Sequence, residues 1–199
     1  MTVQAPAAAS SLSAIRHWVF DMDGTLTVAV HDFARIKREL AIPQEDDILT
    51  HLAGLPAAEA SAKHAWLLAH ERALAAASQP ATGAVALVRA LQGAGCRLGI
   101  LTRNVRSLAQ VTLQAIGLGD VFAEDDIIGR DEAEPKPSPA GLQYFQQRWQ
   151  VEPAQVVMVG DYRFDLECGR AAGSQGPHLQ STADCHHSVL CAVGGTFFE

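Results

Sequence analysis

His17-Trp18-Val19-Phe20-Asp21-Met22-Asp23-Gly24-Thr25-Leu26-Thr27 decides how the rest of the chain is read. Its short apolar run, bounded by a glycine, predicts a strand buried on both faces. The run delivers two carboxylates, Asp21 and Asp23, to the carboxyl end of that strand. In open α/β sheets the ligand crevice lies outside those ends, so a site is expected around Asp21.

Working outward, Cys96 to Thr102 and Val156 to Asp161 repeat the pattern of an apolar run that ends in a polar residue. A shorter strand is expected around Val121-Phe122-Ala123. Helical patterns separate these runs. One covers Ala84 to Leu91 and stops near Gly93 or Gly95, and another runs from Val105 to Ile116 with Asn104 as its N-cap and Gly117 after its end. A third is capped by Ser138, has Pro139 in its first turn and carries Tyr144, Phe145 and Trp149. The last runs through Leu166 to Ala172 and ends at Gly173. Strands spaced by helices pair in parallel through right-handed crossovers, which predicts a three-layer α/β/α, Rossmann-like fold.

Residues 28–80 break the alternation. Phe33, Ile36 and Leu40 recur at helical steps, a short helix is expected from Asp46 or Asp47 to Leu52, and Gly54-Leu55-Pro56 ends it. A long Ala-rich helix from Ala57 to Ala77 follows, with Trp66, Leu67 and Leu74 packing. The expected organisation is a flexible leader over 1–13, a core of 14–27 and 81–173, a helical insert over 28–80, and an atypical tail over 174–199. In that tail Ser174 to Ser181 is mostly polar where another strand would extend the sheet, and weak packing is expected there.

The chain has 199 residues, 48% of them hydrophobic, enough to build a good core. A net charge of −7 without a Lys/Arg run argues against nucleic acid or an acidic membrane surface as partner. No run approaches the roughly 18 apolar residues that span a bilayer. The leader lacks the charged front of a secretory signal, so a cytoplasmic protein, monomer or homodimer, is expected. Cys96, Cys168, Cys185 and Cys191 show no Cys-x-x-Cys spacing and suit reduced thiols, and Cys185-His186-His187 with Cys191 matches no common zinc pattern. His31, His51, His64 and His70 are expected at the surface or in helix packing.

Four stretches carry chemistry: Asp21-Met22-Asp23-Gly24-Thr25, Thr102 at the end of Leu98-Gly99-Ile100-Leu101, Lys136 between Pro135 and Pro137, and Gly160-Asp161-Tyr162-Arg163-Phe164-Asp165. Read singly, the first is also explained as a capped turn, Thr102 and Asn104 as helix caps, and Lys136 as a solvated charge. In this order they resemble the four motifs of the haloacid dehalogenase-like hydrolases, and within that superfamily the phosphoglycolate phosphatase-like members with a small helical cap. The resemblance covers Val19 to Gly173 and places the insert as the cap.

The resemblance implies a magnesium-dependent phosphatase acting on a small phosphorylated metabolite through an aspartyl-phosphate. Asp21 would be the nucleophile, and Asp23 would protonate the leaving oxygen and then take a proton from the hydrolytic water. Thr102, with Arg103 beside it, and Lys136 would bind the phosphoryl group. Asp21 and Asp161 would hold magnesium directly with the backbone carbonyl of Asp23, and Asp165 would hold a bound water or orient Lys136. Dehalogenases and phosphonate hydrolases generally lack an acid at the position of Asp23. A sugar phosphomutase of the same fold and a non-catalytic binding protein with an altered C-terminus remain alternatives.

Charge balance bears on the same residues. Two like charges about 4 Å apart repel by roughly 4 kcal/mol at an effective dielectric near 20. Several aspartates and a phosphate dianion therefore converge only with compensation, which a divalent cation and Lys136 would supply.

Overall fold

A computed structural model of the chain describes residues 15–29 and 32–174. The expectations for the leader, for His31 and for the tail beyond Ser174, with Cys185 and Cys191, lie outside the described residues. Within them, strands β1 (His17–Phe20), β2 (Arg97–Leu101), β3 (Ile127–Ile128) and β4 (Val156–Val159) form one parallel sheet in the order β3-β2-β1-β4.

The sheet is covered on both faces, as its near-continuous apolar strands require. Successive side chains of a strand point to opposite faces, and here the alternation sorts the core into two halves. Trp18 and Phe20 of β1, Ile100 of β2 and Val157 of β4 join Val88 of α4 (Ala84–Gly93) and Leu113 of α5 (Arg106–Ala115). Val19, Leu101 and Met158 face the other way, against Phe145 and Trp149 of α6 (Ala140–Trp149) and Cys168 of α7 (Arg163–Ala171). Full burial of each large apolar side chain contributes about 1.5–3 kcal/mol.

Register aligns the site. Phe20 pairs with Ile100 on one side and Val159 on the other, so Asp21, Thr102 and Asp161 all emerge just past one edge of the sheet. The Asp21 amide donates to the Val159 carbonyl at 2.8 Å, extending the pairing by one bond.

Two expectations are corrected. No strand forms at Val121-Phe122-Ala123; Phe122 is apolar because it is buried in the core, and the edge strand is Ile127–Ile128, after a short 3-10 turn at Glu124–Asp126. Asn104 does not cap α5. Its Oδ1 accepts from the adjacent Val105 amide at 2.9 Å, and the helix begins one residue later than expected, with Val105 at the cap position. Ser138 keeps a capping contact, its hydroxyl accepting from the Ala140 amide at 3.3 Å, although Pro139 holds the N-cap position of α6.

Between β1 and α4 stand α1 (Phe33–Glu39), α2 (Ile48–Ala53) and α3 (Ala57–Ala76). Asp32 and Asp47 start the first two, accepting from the Arg35 amide at 2.9 Å and the Thr50 amide at 3.0 Å. These helices share their own small core of Ile36, Leu40, Ile42, Leu52 and Leu67, separate from the sheet's two halves. A narrow neck joins them to the sheet: Val28 donates to the Gln79 carbonyl at 3.0 Å and Ala81 to that of Leu26 at 2.9 Å.

Gly99 shows how closely α6 sits on the sheet. A Cβ there would lie 2.6 Å from Cε1 of Phe145, a fully buried ring. Gly99→Ala should therefore destabilise the fold by about 1–3 kcal/mol, read as a lower urea midpoint with an unchanged slope; an unchanged midpoint would show that Phe145 can move aside.

Candidate active site

At the carboxyl edge of the sheet, three elements meet on one ammonium group. Lys136 Nζ donates to Asp21 Oδ1 and to Asp165 Oδ1, each at 2.6 Å. Asp21 follows β1, Asp165 sits in the first turn of α7, and Lys136 comes from the loop before α6, where the Lys136–Pro137 peptide is cis. Lys136 and Asp165 are 3% and 2% exposed, so neither charge has much water to rely on. A buried charge is tolerated when it is paired and hydrogen-bonded; the second oxygen of Asp165 accepts from the Tyr162 amide at 3.0 Å.

Asp161 completes the group from the end of β4. Its Oδ1 accepts from the Thr25 hydroxyl at 2.9 Å, tying the fourth motif to the first. Gly24 makes this approach possible: its φ is +87°, and a Cβ there would sit 2.5 Å from Asp161 Oδ2. Thr102 is buried beyond β2, its backbone amide bonded to the Ile128 carbonyl at 3.0 Å. The Thr102 hydroxyl accepts from the Asn104 amide at 3.1 Å, which leaves its own proton to donate elsewhere.

Asp21, Asp23, Thr102, Lys136, Asp161 and Asp165 all line one cleft of about 440 Å³, closed on its far side by α1, α2 and α3. Arg103 lines it too, but the groups it contacts belong to the wall. It pairs with Asp47 at 2.7 Å and stacks over Phe164 at 4.8 Å. Sequence reasoning missed Arg130, which follows β3 and clasps Glu71 of α3 through two bonds of 2.9 Å. The one local signal was a Gly-Arg pair directly after the apolar Ile127-Ile128.

Positive charge is scarce in this corner. Carboxylate oxygens of Asp21, Asp161 and Asp165 lie within 4.8 Å of one another, with one lysine among them. Burial pushes the Asp21 carboxyl up to about 7 against the pull of Lys136, and the charges of Asp165 and Asp23 push the same way. Burial also raises Asp161, opposed by the Thr25 hydrogen bond. Lys136 shifts upward: burial works against its charge, and Asp21 and Asp165 more than offset that. Three convergent hard oxygen donors short of a counter-charge are a donor set suited to a hard divalent cation.

The family model of the haloacid dehalogenase-like hydrolases matches residues 15–173. The chain belongs to that family. It is 31% identical over 187 residues to a validoxylamine A 7'-phosphate phosphatase of Streptomyces hygroscopicus, covering 83% of this chain and 86% of that one. With a phosphoglycolate phosphatase of Rhodospirillum rubrum it shares 39% identity over 92 residues, 46% of this chain and 37% of that protein. Among solved structures, a hydrolase from Pseudomonas syringae superposes with a TM-score of 0.67 at 20% identity, covering 81% of this chain and 83% of the other. The haloacid dehalogenase-like chain described here is thus a hydrolase of the phosphatase type on an α/β core. No helix among the described residues is long and apolar enough to cross a membrane.

A pH dependence follows from Asp21. Its carboxyl moves from 3.8 to about 7 on folding, so between those values the native state keeps a proton that the unfolded chain has released. The associated stability is full below the lower value and is lost as pH rises through the upper one. In magnesium-free buffer the parent protein should lose stability relative to Asp21→Asn as pH rises from about 4 to 8, the difference between the two changing by on the order of a few kcal/mol whatever its starting value. Urea denaturation at each pH checks this; parallel profiles for the two proteins would contradict it.

Proposed function

We propose that this enzyme hydrolyses a small-molecule phosphomonoester in a magnesium-dependent reaction through a phosphorylated Asp21. The observation that carries the reading is the convergence of Asp21, Lys136, Asp161 and Asp165, drawn from separate segments, on a single hollow.

In this reading Lys136 orients Asp21 through Oδ1 and leaves the carboxylate facing the cleft for in-line attack on phosphorus. Asp23, which also lines the cleft, protonates the departing oxygen and then takes a proton from the water that cleaves the acyl phosphate. The Thr102 hydroxyl donates to an equatorial phosphoryl oxygen, and the Lys136 ammonium balances charge that builds there. Asp165 serves as a positioning residue, since it fixes Lys136 from the side opposite Asp21. Asp21, Asp161 and the backbone of Asp23 would hold magnesium, which supplies the further positive charge the carboxylates and a phosphate dianion need. A cytoplasmic location suits such a substrate.

Three measurements test the proposal. Magnesium should support, and a chelator abolish, release of phosphate from a generic aryl phosphate. Asp21→Asn should lower turnover below detection with its far-UV spectrum unchanged, and acid-quenched parent enzyme should carry phosphate on the peptide containing Asp21; persistent turnover in the variant would remove Asp21 as nucleophile. Asp161→Asn should raise the magnesium concentration for half-maximal rate by about tenfold or more, and an unchanged requirement would exclude Asp161 as a ligand. A phosphomutase would instead move the label to a second sugar hydroxyl without releasing free phosphate.

A further inference from the structure

Two arginines cross from the core to the helical insert, and their donors are spent differently. Arg130, just past β3, is fully committed: Nη1 and Nη2 each meet one oxygen of Glu71 at 2.9 Å, and the two side chains are only 10% and 11% exposed. Its Nη1 also donates to the Arg103 carbonyl at 3.3 Å, which steadies the backbone of the second arginine. Arg103 is held but not saturated. Its bonds to Asp47, 2.8 Å to Oδ1 and 2.7 Å to Oδ2, all leave from Nη2. Its Nε is the one buried side-chain nitrogen or oxygen without a hydrogen-bond partner among the described residues.

A buried donor left unpaired carries its full desolvation cost, and native structures keep few of them. Whatever relieves it accepts a hydrogen bond, and Arg103 stands where a substrate would bring an acceptor. The side chain lines the cleft directly after Thr102, between the phosphate hollow and Asp47 of the insert. When Asp21 attacks phosphorus in line from the sheet edge, the leaving group departs on the opposite side, toward the insert and past Arg103. Resting on the hydrolase reading above, we propose that Arg103 reads the leaving group by donating to an oxygen acceptor that it carries.

Asp47 and Phe164 position this arginine. Asp47 is itself fixed by the Thr50 amide at 3.0 Å and hydroxyl at 2.8 Å, and it anchors Nη2 alone. Phe164 supports the guanidinium, whose Cζ lies 4.8 Å from the ring centroid. A planar group held at one terminal nitrogen over a flat ring can pivot about that nitrogen without losing either contact. Nε is enclosed in this conformation and reaches the cleft through that pivot, side by side with Asp47. A guanidinium fork takes a pair of oxygens, so a carboxylate, a second phosphate or the oxygens of a polyol each meets it, and what they share is the acceptor. The other cations of the cleft offer no such unpaired group. Lys37 Nζ donates to the Gln44 carbonyl at 2.6 Å, and Arg163 lies exposed at the rim over the rings of Phe164 and Tyr162.

Esters with and without such an acceptor separate the roles. In the full chain with magnesium, Arg103→Met, which removes every donor and keeps an apolar stem, should lower kcat/KM for phosphoglycerate or glycerol phosphate by about tenfold or more, mostly through KM, and change phenyl phosphate less than about twofold. A fall confined to phosphoglycerate identifies an anionic acceptor, and one that includes glycerol phosphate shows that a neutral oxygen suffices. Arg103→Lys should recover part of the loss, and it carries the comparison if Arg103→Met fails to fold. An equal fall for all three esters would place Arg103 on the phosphoryl group or in the fold alone, and no fall would make it a clasp like Arg130; either result overturns the inference. Calorimetric binding of the same esters to Asp21→Asn, with and without Arg103→Met, should show the same selective loss. It decides the inference even if no ester turns over, an outcome that would instead sink the hydrolase reading.

Discussion

A single buried ammonium holds the active end of this molecule together. Lys136 is enclosed between Asp21 and Asp165, and each contact bridges segments far apart in sequence. Such a pair adds little net stability, because desolvation consumes most of the Coulombic gain. Removing one member is a different matter, since it strands a charge in a place without water. The consequence is geometric: the end of β1, the first turn of α7 and the loop before α6 are tied together where these three side chains meet.

Two further arginine-carboxylate contacts connect the core to the helices above it. Arg103–Asp47 and Arg130–Glu71 join residues just beyond β2 and β3 to α2 and α3. Asp47 does two jobs, since it also starts α2 by accepting from the Thr50 amide and hydroxyl. Arg103 sits immediately after Thr102, so a residue facing the insert adjoins a residue facing the phosphate hollow. Burial pushes the Asp47 carboxyl up, but the hydrogen bonds from Arg103 and Thr50 and the charge of Arg103 prevail and hold it low, which keeps the contact ionised.

The central strands were legible because β1, β2 and β4 are covered on both faces, and nothing but an unbroken apolar run satisfies that environment. The aspartates and Lys136 were legible as residue types at strand ends and helix starts. The edge strand was not. Its pairing amounts to Ile127–Ile128 beside an acidic turn, while the more strand-like Val121-Phe122 is apolar for packing alone. Asn104 was misread because its side chain bonds its immediate neighbour, a local alternative that Asn offers as readily as a cap. The clasps at Arg103 and Arg130 join partners fifty-six and fifty-nine positions apart, and no local pattern encodes them.

The neck at Leu26–Val28 and Gln79–Ala81 has a consequence of its own. Because the polypeptide departs from and returns to the sheet at one hydrogen-bonded spot, that spot works as a grafting point. Helices hung from it can lengthen, shrink or be exchanged over generations while every strand keeps its neighbours. Recognition is thereby free to diversify at a pace that the machinery beneath it does not share.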